Sequence, residues 1–121
     1  MTSLRVLICE DDPVQALLLE DLIYEAGHRP VGPARRFVDA LEIVDGTPVD
    51  VAIVDLTLLD GRSGPLIARH LAERGIRVIV LSGLTEVDPD LAEIRHVFVA
   101  KPARPEVISR LLGRVAPPVA A

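Results

Sequence analysis

The sequence predicts an α/β domain in which a parallel sheet is wrapped by helices on both faces. Short apolar runs alternate with longer segments of helical periodicity, a rhythm that implies right-handed crossovers. The runs at residues 49–55 and 77–81 are mostly apolar rather than alternating, as parallel strands buried on both faces should be. A chain of 121 residues is long enough for one real core. We expect a single domain over residues 1–121, with its core at 4–115 and a frayed tail at 116–121.

Each element has a local reason. Residues 4–9 (LRVLIC) are short, apolar and β-rich, and form the first strand. Asp12 then caps a helix whose first position is Pro13. Val14, Leu18, Leu22 and Ala26 recur at helical spacing and predict its apolar face, and Gly27 ends it. A brief strand is expected at 29–31. Residues 35–45 are helical, with Phe37, Leu41 and Val44 inward, until Gly46-Thr47-Pro48 breaks the run. After the strand at 49–55, Gly64-Pro65 opens a helix carrying Leu66, Ile67 and Leu71, which Gly75 stops. The strand at 77–81 leads into Ser82-Gly83. Asp88-Pro89 starts a fourth helix with only Leu91 and Ile94 as its apolar face, so about two turns are expected. A last strand at 97–100 and a last helix at 105–115 complete the alternation.

Composition excludes several function classes. No apolar run reaches the length of a membrane span, and the amino terminus lacks the basic-then-apolar pattern of a signal peptide. A single cysteine excludes an internal disulfide and fits a cytoplasmic setting. The net charge of −5 argues against a nucleic-acid surface; Arg35-Arg36 is the sole basic doublet and reads as a solvated helix edge. His28, His70 and His96 have no zinc-ligand spacing, and Cys9 reads as packing.

The ends of the strands carry the chemistry. In an open parallel sheet, ligands gather outside the carboxyl ends of the strands. The first strand ends in Glu10-Asp11, the third in Asp55 and the fourth in Ser82, and the last runs into Lys101. If these strands are neighbours, the acids need a hard cation with oxygen ligands, most plausibly magnesium. Lysine adds a point charge suited to phosphate. A metal, a lysine and a carboxylate nucleophile together describe phosphoryl transfer onto an aspartate.

At this point the chain resembles the receiver domains of two-component response regulators. The stretches LICEDD, VAIVDLTLLDGRSG, VIVLSG and FVAKP carry the resemblance, which spans residues 4–115. It implies a flavodoxin-like sheet of five strands in the order 2-1-3-4-5. It implies Asp55 as phosphoacceptor, Asp11 as a direct magnesium ligand, Glu10 acting through a metal-bound water, and Thr57 lending its backbone carbonyl to the metal. Ser82 would hydrogen-bond a phosphoryl oxygen, Lys101 would pair with the phosphoryl group beside a cis bond to Pro102, and Phe98 would be the switch aromatic.

The implied function is a stand-alone, cytoplasmic phosphoacceptor in a phosphorelay. It would accept a phosphoryl group from a histidine kinase or histidine phosphotransfer protein and act on an unidentified downstream protein, without nucleic acid or membrane. Phosphorylation and dephosphorylation would be self-catalysed, so the chain is a signalling protein rather than a turnover enzyme. The sequence departs from the family in three places. The LLDGRSG segment is one residue longer before its glycine, without the usual proline; Ala103 replaces a common aromatic; and the segment from Ser82 to Lys101 is short.

The alternatives are a degenerate receiver acting by protein contact alone and an aspartate-nucleophile phosphatase. The first should lack an acid or the lysine, and none is missing. The second should carry an aspartate where this chain has Thr57. A mononucleotide- or flavin-binding module would want a glycine- or hydroxyl-rich loop where Glu10-Asp11-Asp12 stands. Asp60 reads as a turn residue beside Gly61.

Overall fold

The computed structural model describes residues 3–83 and 88–115. Five parallel strands, β1 (Arg5–Cys9), β2 (Arg29–Ala34), β3 (Val51–Asp55), β4 (Arg77–Ser82) and β5 (Val97–Ala100), form one sheet in the order β2-β1-β3-β4-β5. The connecting helices are α1 (Pro13–Glu25), α2 (Phe37–Gly46), α3 (Gly64–Glu73) and α4 (Pro105–Arg114). This is the predicted architecture and strand order.

Strand periodicity sorts the core into two layers. Leu7, Cys9, Ala52, Val54, Val78 and Val80 face α2 and α3, meeting Ala40, Ile67 and Leu71. Their neighbours Val6, Ile8, Val51, Ile53, Ile79 and Leu81 face α1 and α4, meeting Leu19, Ile23, Ile108 and Leu112. Both faces are therefore covered, which is why the central strands carry almost no polar residues.

Four expectations need correction. The buried residues of α1 are Ala16, Leu19 and Ile23. Val14 is 63% exposed and Leu18 57% exposed. The helix is leucine-rich on more than one side; the stripe through Leu19 and Ile23 meets Val6 and Ile8, and Leu22, as expected, packs against the same layer. In α3, Leu66 is exposed while Ile67, Ala68 and Leu71 are buried. β2 runs on to Ala34 despite Pro30 and Pro33, which the edge position tolerates because one side of the strand needs no ladder. The fourth helix is reduced to one 3-10 turn, Pro89–Leu91. Leu91 and Ile94 still reach the α2/α3 layer, so burial is met without a full helix. The expected tail at 116–121 lies outside the described residues.

Candidate phosphoryl-acceptor site

Sheet order and register bring the strand ends together. Cys9 pairs with Val54, Asp55 with Leu81, and Ser82 with Ala100. Glu10-Asp11, Asp55, Ser82 and Lys101 thus leave adjacent strands at one edge. The Glu10 amide donates to the Ala34 carbonyl at 3.0 Å, and the Lys101 amide donates to the Ser82 carbonyl at 2.9 Å, fixing the exit of both chains. The Lys101-Pro102 bond is cis, as the resemblance implied.

Carboxylate oxygens from Glu10, Asp11 and Asp55 all lie within 4.8 Å of one another. The Lys101 ammonium pairs with Asp55 Oδ2 and lies 3.8 Å from Glu10 Oε2. The Thr57 amide donates to Asp55 Oδ1 at 3.3 Å, and the Asp12 amide donates to Glu10 Oε1 at 3.2 Å. Glu10 is only 3% exposed. Burial, together with a hydrogen bond to Asp55 and that residue's charge, pushes the Glu10 carboxyl up to about 7. Burial works against the Lys101 charge, but the hydrogen bond to Asp55 and the charges of Asp55, Glu10 and Asp11 outweigh it and raise the ammonium. One lysine does not neutralise three acids, and an all-oxygen set of this kind suits a hard divalent cation such as magnesium.

Ser82 is buried at the end of β4. Phe98 is half-buried on β5, paired in register with Val80. Thr57 is exposed in the loop after β3. Asp12 is a cap, accepting from the Val14 amide at 2.9 Å.

The loop after Asp55 turns at Asp60-Gly61, as the sequence predicts, and holds contacts the sequence did not reveal. Leu58 and Gly61 form a tight bridge, with Gly61 at φ 98. Asp60 accepts from the Phe37 amide at 3.0 Å and from Ser63 Oγ at 2.5 Å. The Ser63 hydroxyl, then the Phe37 amide, hold the Asp60 carboxyl below the usual carboxylate range. Asp60 thereby caps α2, whose own cap residue Arg36 makes no side-chain bond. Arg62 pairs with Asp88, whose side chain is 1% exposed and also accepts from the Asp90 amide at 2.9 Å. A side chain at Gly64 would fall on the backbone of Asp55 and Leu56, so α3 can start directly behind Asp55 only with glycine there.

A groove of about 900 Å³ adjoins the carboxylates, lined by Asp11, Gln15, Leu18, Leu22, Ala103 and Pro105 among others. Its sequence signals were the surplus leucines of α1 and the small residue at 103. The remaining candidates are structural. Cys9 is buried, and burial pushes its thiol up. His28 Nδ1 accepts from the Leu4 amide at 3.0 Å, and His70 packs edge-on against Phe37 with ring centroids 6.1 Å apart.

Comparison with known proteins shows the family and the fold. The response regulator receiver domain family matches residues 6–112. Phyllosphere-induced regulator PhyR of Methylorubrum extorquens is 29% identical over 117 residues, covering 91% of this chain. The chain spans 42% of the length of that relative. A receiver domain (CheY-like) from Methylobacillus flagellatus superposes with a TM-score of 0.84 at 20% identity, covering 95% of this chain and 100% of that one. The receiver domain of sensor histidine kinase PA1611 from Pseudomonas aeruginosa, which has a magnesium ion coordinated in its active-site cleft, superposes with a TM-score of 0.78. It is 20% identical, and the match covers 94% of this chain and 98% of that one. At these identities the two structures speak to the fold. Among the described residues, no helix is long and apolar enough to cross a membrane.

Proposed function

Since the chain belongs to the response regulator receiver domain family, we propose that it is a magnesium-dependent phosphoacceptor in two-component signalling, with Asp55 as the accepting residue. The observation that carries this reading is the Lys101 ammonium seated on Asp55 beside Glu10 and Asp11. An Asp55 carboxylate oxygen attacks the phosphorus of a phosphohistidine. The new P–O bond forms as the P–N bond breaks, and the departing imidazole takes up a proton. The product is an acyl phosphate.

Each side chain has a part in that step. Lys101 moves from the carboxylate to the phosphoryl oxygens, and the Ser82 hydroxyl donates to one of them. Glu10, Asp11, Asp55 and the backbone carbonyl of Thr57 are the groups that would hold magnesium, which supplies charge neutralisation as phosphate approaches the acids. Phe98 and Ser82 would carry the change of state to the surface along β4 and β5. The donor is a histidine kinase or histidine phosphotransfer protein, and a downstream protein receives the signal. The exposed Leu18 of α1, which lines the groove with Glu10, Asp11 and Lys101, gives a protein donor apolar surface beside the acidic cluster.

Incubation with acetyl phosphate and magnesium tests the reading. One phosphoryl group should be added, labile to hydroxylamine, and Asp55→Ala should not take it up. Undiminished labelling of that variant would move the acceptor elsewhere.

A further inference from the structure

At the end of the sheet opposite the carboxylates, β4 and β5 begin beside the last turn of α4. A concavity of about 270 Å³ there is lined by Arg77, Arg95, His96 and Arg114, with Val97 and Leu111 contributing apolar surface. A second concavity of about 240 Å³, floored by Ala72 and Ile76, shares Arg77 and Arg95 with the first. No carboxylate lines either one. Among the described residues, none of these arginines has a carboxylate within ion-pair distance. Arg77, Arg95 and Arg114 thus meet at one end of the sheet, and the acidic cluster lies at the other.

We propose that this pole binds an acidic, aliphatic-rich peptide segment of a partner protein. Guanidinium groups in a concave wall attract carboxylates and can grip them through two parallel hydrogen bonds. The apolar lining favours a segment that brings aliphatic side chains with its charges over a bare hydrated ion. Two concavities joined at Arg77 and Arg95 suit an extended segment better than a single small anion. β5 is the edge strand of the sheet, and Val97 on it is 45% exposed. Because Asp55 is at the other pole, both ends can be occupied at once.

The test is an NMR titration of the isotope-labelled chain with an acetylated peptide of alternating leucine and glutamate. Saturable shifts are expected at Arg77, Arg95, His96, Val97 and Arg114. Arg95→Glu with Arg114→Glu should weaken binding by about tenfold or more, and Arg95→Gln with Arg114→Gln by less. Arg104→Glu with Arg110→Glu, the same charge change on exposed residues outside the concavities, should leave affinity within about twofold of wild type. The proposal is overturned by an absence of saturable shifts at these residues, by equal losses in both charge-reversed pairs, or by pyrophosphate matching the peptide in shifts and affinity.

Discussion

The Lys101 ammonium rests on the Asp55 carboxylate, 46 residues earlier in the chain, and reaches towards Glu10 from the same position. It is the cationic side chain in contact with the acidic cluster. Lys101→Met removes that cation and leaves the acids to repel one another. The pair is partly exposed, so the cost in metal-free buffer should be about 1 kcal/mol. Magnesium should stabilise this variant more than wild type, because there is more repulsion to relieve. Thermal melts with and without magnesium at constant ionic strength check this; an equal magnesium shift in both proteins would detach Lys101 from the cluster.

Glu10 makes the site pH-dependent. Burial, with the hydrogen bond to Asp55 and that residue's charge, pushes its carboxyl up to about 7 from an ordinary value of 4.5. A carboxyl raised in the folded state contributes stability below its unfolded value, and that contribution is lost as pH rises through about 7. Metal-free stability should therefore fall between pH about 5 and about 8. Magnesium competes with the Glu10 proton, so its stabilising effect should be small at the acidic end of that range and full at the basic end. Glu10→Gln should flatten the metal-free profile. A wild-type profile already flat across this window would contradict the assignment.

The Arg62–Asp88 pair ties the loop after Asp55 to the segment after Ser82. Arg62→Ala leaves a buried carboxylate without its charge partner and should cost about 1–2 kcal/mol. Asp88→Ala loses the pair and also the bond from the Asp90 amide. The double variant should be less destabilised than the sum of the two, with a coupling of about 1 kcal/mol. Denaturant melts of the four proteins give the cycle, and additive losses would show that the pair does no joining.

Gly64 and Gly61 separate space from conformation. Gly64→Ala forces a methyl into the backbone of Asp55 and Leu56, and should cost about 2–3 kcal/mol and slow phosphorylation together. Gly61→Ala meets nothing within 4 Å but sits at φ +98, so it should cost about 1 kcal/mol and spare the acceptor rate. If the Gly64 variant phosphorylated at the wild-type rate, close packing behind Asp55 would have no bearing on the site.

What the sequence made legible follows from what acts locally. The central strands announce themselves because burial on both faces removes polar residues, and a charge closing such a run stands out at Glu10 and Asp55. The register of α1 was hidden because leucines fill several stripes of the helix, and only the sheet decides that Leu19 and Ile23 go inward. β2 was foreshortened by its prolines, whose tolerance depends on an edge position that sequence order does not display. The Asp60 cap of Phe37 and the Arg62–Asp88 tie join residues far apart in sequence, and no local pattern encodes them. The strand order that sets Ser82 beside Ala100 was expected, but from the resemblance to receiver domains rather than from any local pattern.

Location of the phosphoryl group tests the central claim most directly. The protein is phosphorylated with acetyl phosphate and magnesium and then reduced with borohydride, which converts an aspartyl phosphate to homoserine. Peptide mass spectrometry then reads the converted position. The account predicts homoserine at position 55 alone, dependent on magnesium and strongly reduced in Lys101→Met. Homoserine at Asp11, Asp12 or Asp60 with Asp55 intact would contradict it.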